Sequence, residues 1–169
     1  MPLRPTPDAM RERAFAVLAG RVPGARCLDL FAGTGAVGLE ALSRGALSTV
    51  FVDHHRAAIA LITANRDALG LATDRAVILH LKATTAISRL ARQHAIFDLV
   101  WADPPFDTWT DGLNALTQVV DHGLLAPGGL MCLECPSRTD DNLISHHFTV
   151  ERDLTGGASR VILLSPLKP

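Results

Sequence analysis

The chain has no tyrosine, two tryptophans and six phenylalanines in 169 residues. So thin an aromatic supply excludes an extended stacking platform of the kind that holds single-stranded nucleic acid. Cysteine is scarce too: three thiols cannot close a disulfide framework, which points to a reducing, cytoplasmic setting. No run of ~18 apolar residues occurs, so no helix of bilayer length is expected. The stretch from Met1 to Arg13 lacks the apolar core of a secretory signal. Net charge is only −1 at pH 7. That excludes a protein gripping nucleic acid by overall positive charge and leaves room for a local basic face alone. The remainder, 48% hydrophobic and 20% charged, is ordinary for one globular domain.

Strand-like apolar runs alternate with helical periodicity. This predicts an α/β fold: a mostly parallel sheet with helices on both faces and a closing antiparallel hairpin, seven strands in all. Thr6 suits the N-cap, and Pro7 the first position, of an opening helix that Gly20, Pro23 and Gly24 end. Parallel strands are expected over 27–31, 49–53, 76–81, 97–102 and 130–134, with helices between them. The turn Pro127-Gly128-Gly129 precedes the fifth strand. Residues 148–153 and 160–164, around Gly156-Gly157, read as the hairpin. Residues 1–24 thus form an N-terminal helix and substrate-facing segment, and 25–169 the core.

In such a sheet, ligands collect beyond the carboxyl ends of the strands, where strand order reverses. Asp29-Leu30-Phe31-Ala32-Gly33-Thr34-Gly35 sits at one such end and opens a helix. Asp53 follows Gly33 by 20 residues, the length of one strand–helix–strand unit, and ends the next strand where a carboxylate can accept from a ribose diol. Gly33, Gly35 and Gly38 also match the dinucleotide fingerprint. An acid at Asp29 suits a cationic ligand better than a pyrophosphate. S-adenosylmethionine carries an ammonium, a sulfonium and a ribose, and no phosphate.

Asp103-Pro104-Pro105-Phe106 breaks the fourth strand. Two prolines stiffen the exit and remove two donors, leaving their carbonyls to face a substrate. Asp103 adds a second acceptor, and Phe106 a flat surface for a base. The set is an acceptor pair aimed at a planar amino group, whose nitrogen becomes a better nucleophile when both its protons are accepted. No metal is demanded.

Together, Asp29 to Gly35 and the Asp103–Phe106 tetrapeptide resemble the amino-methyltransferase branch of the Rossmann-like, S-adenosylmethionine-dependent enzymes. Three blocks resemble more closely the bacterial RsmD family, which methylates guanine N2 in 16S ribosomal RNA. They are Arg4 to Asp8 with Arg11-Glu12, Leu28 to Ala46, and the tetrapeptide. The resemblance implies a cofactor site of Asp29, Phe31, Ala32, Gly33, Thr34, Gly35 and Asp53, with His54 beside the adenosine, Ala83 bordering the adenine and Asp103 reaching the methyl end. Asp103, Pro104, Pro105 and Phe106 carry the catalytic role, and Arg4, Thr6 and Arg11 lie at the RNA entrance. The family usually has Glu where Asp53 stands and Asp or Asn where Lys82 stands. The same tetrapeptide serves adenine N6 and glutamine amides, so those targets remain alternatives, as does a catalytically silent cofactor- or RNA-binding module.

Five arginines against two acids give residues 1–28 a charge of +3, a phosphate-gripping lip or a solvated face. Guanine N2 is reached only in an unpaired or flipped-out base. With so little net positive charge, poor binding to naked RNA and better action on a partly assembled small ribosomal subunit are expected; a monomer is expected as well. Cys132 and Cys135 form C-x-x-C, yet residues three apart in a strand face opposite sides, which argues against a metal.

Overall fold

A computed structural model describes residues 8–169; the Thr6 cap and Pro7 lie outside them. β1 (Arg26–Leu30), β2 (Ser48–Asp53), β3 (Ala76–His80) and β4 (Phe97–Ala102) pair in parallel. The crossovers are α2 (Ala36–Ser43), α3 (Arg56–Ala68), α4 (Ala83–Arg92) and α5 (Trp109–Asp121). β5 (Leu125–Pro136) joins β4 in parallel. After the short α6 (Asp141–Ser145), β6 (Phe148–Gly156) and β7 (Ser159–Pro166) form the hairpin, with β7 inserted antiparallel between β5 and β6. The order β3-β2-β1-β4-β5-β7-β6 is the expected Rossmann-like mixed sheet. Its order reverses between β1 and β4, which opens the crevice there.

Helices cover both faces, so the central strands are continuously apolar. Leu99, Val100, Trp101 and Ala102 are all buried, and alternate residues serve two cores. α1 (Asp8–Val17) lays Met10, Ala14 and Phe15 on one face of the sheet, where Phe15 stacks on Trp101 with ring centroids 5.7 Å apart. Cys132 belongs to this core and Cys135 to the other, as strand alternation requires. Burial raises the pKa of all three thiols, so they remain protonated and unreactive.

Two expectations need correction. Pro127–Gly129 is not a turn ahead of β5. The ladder starts at Phe97–Leu125, and residues 126–129 project from it before pairing resumes at Leu99–Leu130. Nor do the arginines of residues 8–28 form one lip. Arg26 opens β1 at the rim away from Asp103 and pairs with Asp98 at 2.9 Å. Arg21 donates to the Gly128 carbonyl at 2.8 Å on that same rim. Sequence proximity could not show that α1 lies across the sheet, so that Arg13 reaches the Thr155 carbonyl at one end while Arg21 and Arg26, beyond the helix, stand at the other. Among the described residues, no helix is long and apolar enough to cross a membrane.

Candidate active site

The turn after β1 enters the left-handed region three times, at Phe31 (φ 58°), Gly33 (φ 58°) and Gly35 (φ 79°). For Phe31 this conformation is strained, and strain of that sort persists where the surroundings hold it. They do: Ala32 N–H donates to the Val52 carbonyl at 2.9 Å, and Gly35 N–H closes on the Ala32 carbonyl at 2.8 Å. Asp53, buried at the end of β2, accepts from Gly33 N–H at 2.8 Å through Oδ2 and from His55 N–H at 2.9 Å through Oδ1. The 20-residue spacing is therefore realised as a direct bond between the second strand's acid and the glycine turn. His54 is exposed beside it, with its carbonyl 3.0 Å from His80 Nε2. Ala83 starts α4 just past β3, whose end is tied back where Leu81 N–H reaches the Asp53 carbonyl at 3.1 Å.

Asp29 is 2% exposed, and its Oδ2 accepts from Gly38 N–H in the first turn of α2 at 3.0 Å. Thr34 Oγ1 accepts from Ala36 N–H at 3.3 Å. Two of the free N–H groups at this helix end are thus met by side chains, one of them a carboxyl, and the end is a poor pyrophosphate site. Gly38 stands where it does because a Cβ would lie 2.3 Å from Phe51 Cε1, so helix and sheet touch here. Residues 29–35 carry no basic side chain. A turn with an acid below it, an acid beside it and no cation fits a cationic, ribose-bearing ligand.

Burial pushes the Asp29 carboxyl up to about 8, against 3.8 for an ordinary aspartate, and the neighbouring Asp53 adds to the rise. Between those values the folded protein holds a proton that the unfolded chain has released. Stability therefore falls as pH rises through this window, and the Asp29 penalty is complete above it. Asp29→Asn keeps an acceptor for Gly38 N–H and carries no charge. Its ligand-free melting temperature should be flatter across the window and exceed the parent's at its upper end, by ~2–4 °C for each ~1 kcal/mol. Thermal melts over the series check this; a parent curve as flat as the variant's refutes it.

The reacting loop adjoins this turn. Leu30 pairs with Ala102, and Asp103 N–H donates to the Leu30 carbonyl at 3.4 Å, so the tetrapeptide leaves β4 alongside the glycine turn. Asp103 and Phe106 are half-buried, Pro104 is buried and Pro105 is exposed. One expectation fails here. The Pro105 carbonyl does not face a substrate, because it accepts Thr108 N–H at 3.0 Å as the chain enters the 3-10 turn Phe106–Thr108. Trp109 packs half-buried on the α4–α5 side of the core.

Arg4 and Thr6 lie outside the described residues. Arg11 is in α1, where Asp8 at 3.0 Å and Glu40 at 3.6 Å hold its guanidinium. One residue escaped the sequence reading: Glu134, an acid 2% exposed inside β5. Ala102 and Leu133 close the β4–β5 ladder, so Asp103 and Glu134 follow as neighbours. The signal was a carboxylate in an otherwise apolar strand.

Comparison with known proteins agrees with this fold. Ribosomal RNA small subunit methyltransferase D of Escherichia coli K12 is 34% identical over 157 residues, 92% of this chain and 75% of that protein. The solved structure of Escherichia coli yhhF has a TM-score of 0.80 at 30% identity, covering 97% of this chain and 87% of that one. A structure of a hypothetical protein from Thermus thermophilus reaches 0.78 at 30% identity, covering 95% and 86%. A family model described as conserved hypothetical protein 95 matches residues 1–165, and with it the chain belongs to that family, the RsmD-like methyltransferases.

Proposed function

We propose that the protein methylates the exocyclic N2 amine of a guanine in 16S ribosomal RNA, acting as a monomer on a partly assembled small ribosomal subunit. The observation that carries this reading is the bond from Asp103 N–H to the Leu30 carbonyl, which sets a planar-amine acceptor beside a cation-suited turn. The name of the Escherichia coli relative supports ribosomal RNA as the target class.

S-adenosylmethionine is the methyl donor and supplies an electrophilic methyl carbon on a sulfonium. Asp53 has lone pairs left for ribose hydroxyls. His54 and Ala83 border the adenine, Phe31 to Gly35 form the turn around the methionine portion, and Asp29 lies beneath it, where its carboxyl gives up its proton beside the cationic ligand and stands as the carboxylate. Since the Pro105 carbonyl is engaged, the two amine protons go to the Asp103 carboxylate and the Pro104 carbonyl. Accepting both raises electron density on the nitrogen and offsets the charge that develops there. Phe106 holds the plane of the base. Asp103 also takes up the proton the amine releases. Arg4 and Thr6 guide the RNA strand to the reacting loop, whereas Arg11, held by Asp8 and Glu40, has no open guanidinium to offer it.

Incubation with labelled methyl donor and undermethylated small subunits, followed by digestion to nucleosides, is expected to yield N2-methylguanosine. N6-methyladenosine, or no labelled nucleoside, refutes the guanine assignment.

A further inference from the structure

The rim opposite Asp103 carries a feature the reaction does not use. Where residues 126–129 project from β5, they overhang a groove of about 660 Å³. Val17, Arg21, Leu130, Arg152, Leu163 and Lys168 are among the residues that line it. A smaller hollow of about 320 Å³ adjoins it, sharing Arg21 and the Pro127–Gly129 projection. Arg21, Arg152 and Lys168 are exposed. The Gly128 carbonyl fixes Arg21 through one N–H, while Arg152 and Lys168 enter no ion pair among the described residues. Glu151, the one acid on the lining, is engaged by Ser165 Oγ at 2.6 Å. The lining thus carries +2 in a chain whose total is −1.

Some arginines elsewhere are neutralised: Arg11 and Arg44 share Glu40, Arg26 holds Asp98, and Arg160 holds Asp141 and Asp153. Cations around a trough with a largely apolar lining suit a chain in which charged groups alternate with less polar ones, as in a ribose–phosphate backbone. We propose that this groove is a second contact for the ribosomal RNA substrate, holding phosphodiester groups at the rim opposite the reacting loop. The inference rests on the reading that ribosomal RNA is the substrate. A particle far larger than an 18.0 kDa chain reaches both rims at once. Phosphate contacts of this kind fix orientation and carry no base preference.

The test is the double variant Arg152→Glu/Lys168→Glu, assayed by co-sedimentation with undermethylated small subunits across a salt series. Affinity should drop ~10-fold or more at low salt. The plot of log affinity against log salt should flatten by ~1.4–1.8, since each of the two lost phosphate contacts contributes a slope of ~0.7–0.9. Cofactor affinity, melting temperature and kcat at saturating subunits should stay at parent values, and Arg152→Lys/Lys168→Arg should bind as the parent does. Parent-like affinity and slope in the charge-reversed protein overturn the proposal. A second arm uses an unstructured RNA oligonucleotide and poly-glutamate as probes at low salt. Loss of poly-glutamate binding without loss of RNA binding assigns the groove to an acidic protein and also overturns the proposal. Sedimentation reads no methyl transfer, so failure of the guanine assignment appears in the nucleoside assay alone.

Discussion

Asp103→Ala is expected to lower kcat for methyl transfer ~10²–10⁴-fold while leaving cofactor affinity near the parent value. The range is that of a positioned proton acceptor and of one lost electrostatic contact to a charge that grows in the transition state. The side chain follows the last residue of β4 at a half-buried position, so its removal leaves the Leu30–Ala102 pairing and the cores in place. Asp103→Asn separates its two roles. The amide oxygen still accepts an N–H, but it cannot take the released proton, so this variant should fall between alanine and the parent. Single-turnover kinetics on undermethylated subunits, with cofactor binding measured by thermal shift, distinguish the cases. An alanine variant within ~10-fold of the parent removes Asp103 from the chemistry.

The second large effect comes from a residue with no reactive group. Gly112 lies in α5 directly behind the tetrapeptide. A Cβ there would sit 2.7 Å from Pro104 Cγ, 2.9 Å from Pro104 Cδ and 2.8 Å from Leu133 Cδ1. A proline ring cannot rotate away, so Gly112→Ala must push Pro104, and with it the carbonyl assigned to the substrate amine. The alanine gains ~1 kcal/mol of helix propensity against ~1–3 kcal/mol of overpacking, a net loss of ~0–2 kcal/mol that leaves the protein folded. The rate does not escape: a displacement of ~1 Å at a reacting centre is worth ~10²-fold. We expect kcat to fall ~10–100-fold, with KM and cofactor affinity near the parent values. Parent kcat in a variant with a normal melt shows that the Pro104 position is not critical.

Much of this site was legible in the sequence because its rules are local. A glycine turn at the end of an apolar run, an acid one strand–helix–strand unit later and a proline pair after another strand each describe a few consecutive residues. The structure turned the Gly33–Asp53 spacing into a bond of 2.8 Å. Other features were invisible for a common reason. That the Pro105 carbonyl is engaged depends on the 3-10 turn chosen after it, which the dipeptide Pro104-Pro105 does not specify. The buried neighbour Glu134 depends on the register of β5, which slips at the 126–129 projection. The arginines near the start of the chain read as one charged stretch until α1 was laid across the sheet.

By itself, then, the sequence determined the alternating architecture, the glycine turn, the two acids that suit it to a cationic ligand and the acceptor loop, because hydrophobic period and backbone-restricting residues act over short spans. Only the tertiary structure decided the strand order that brings Leu30 against Asp103, the contact of Gly112 with Pro104 and the gathering of Arg21, Arg152 and Lys168 around one groove. Those are meetings of residues far apart in the chain, and packing both faces of a twisted sheet settles them together.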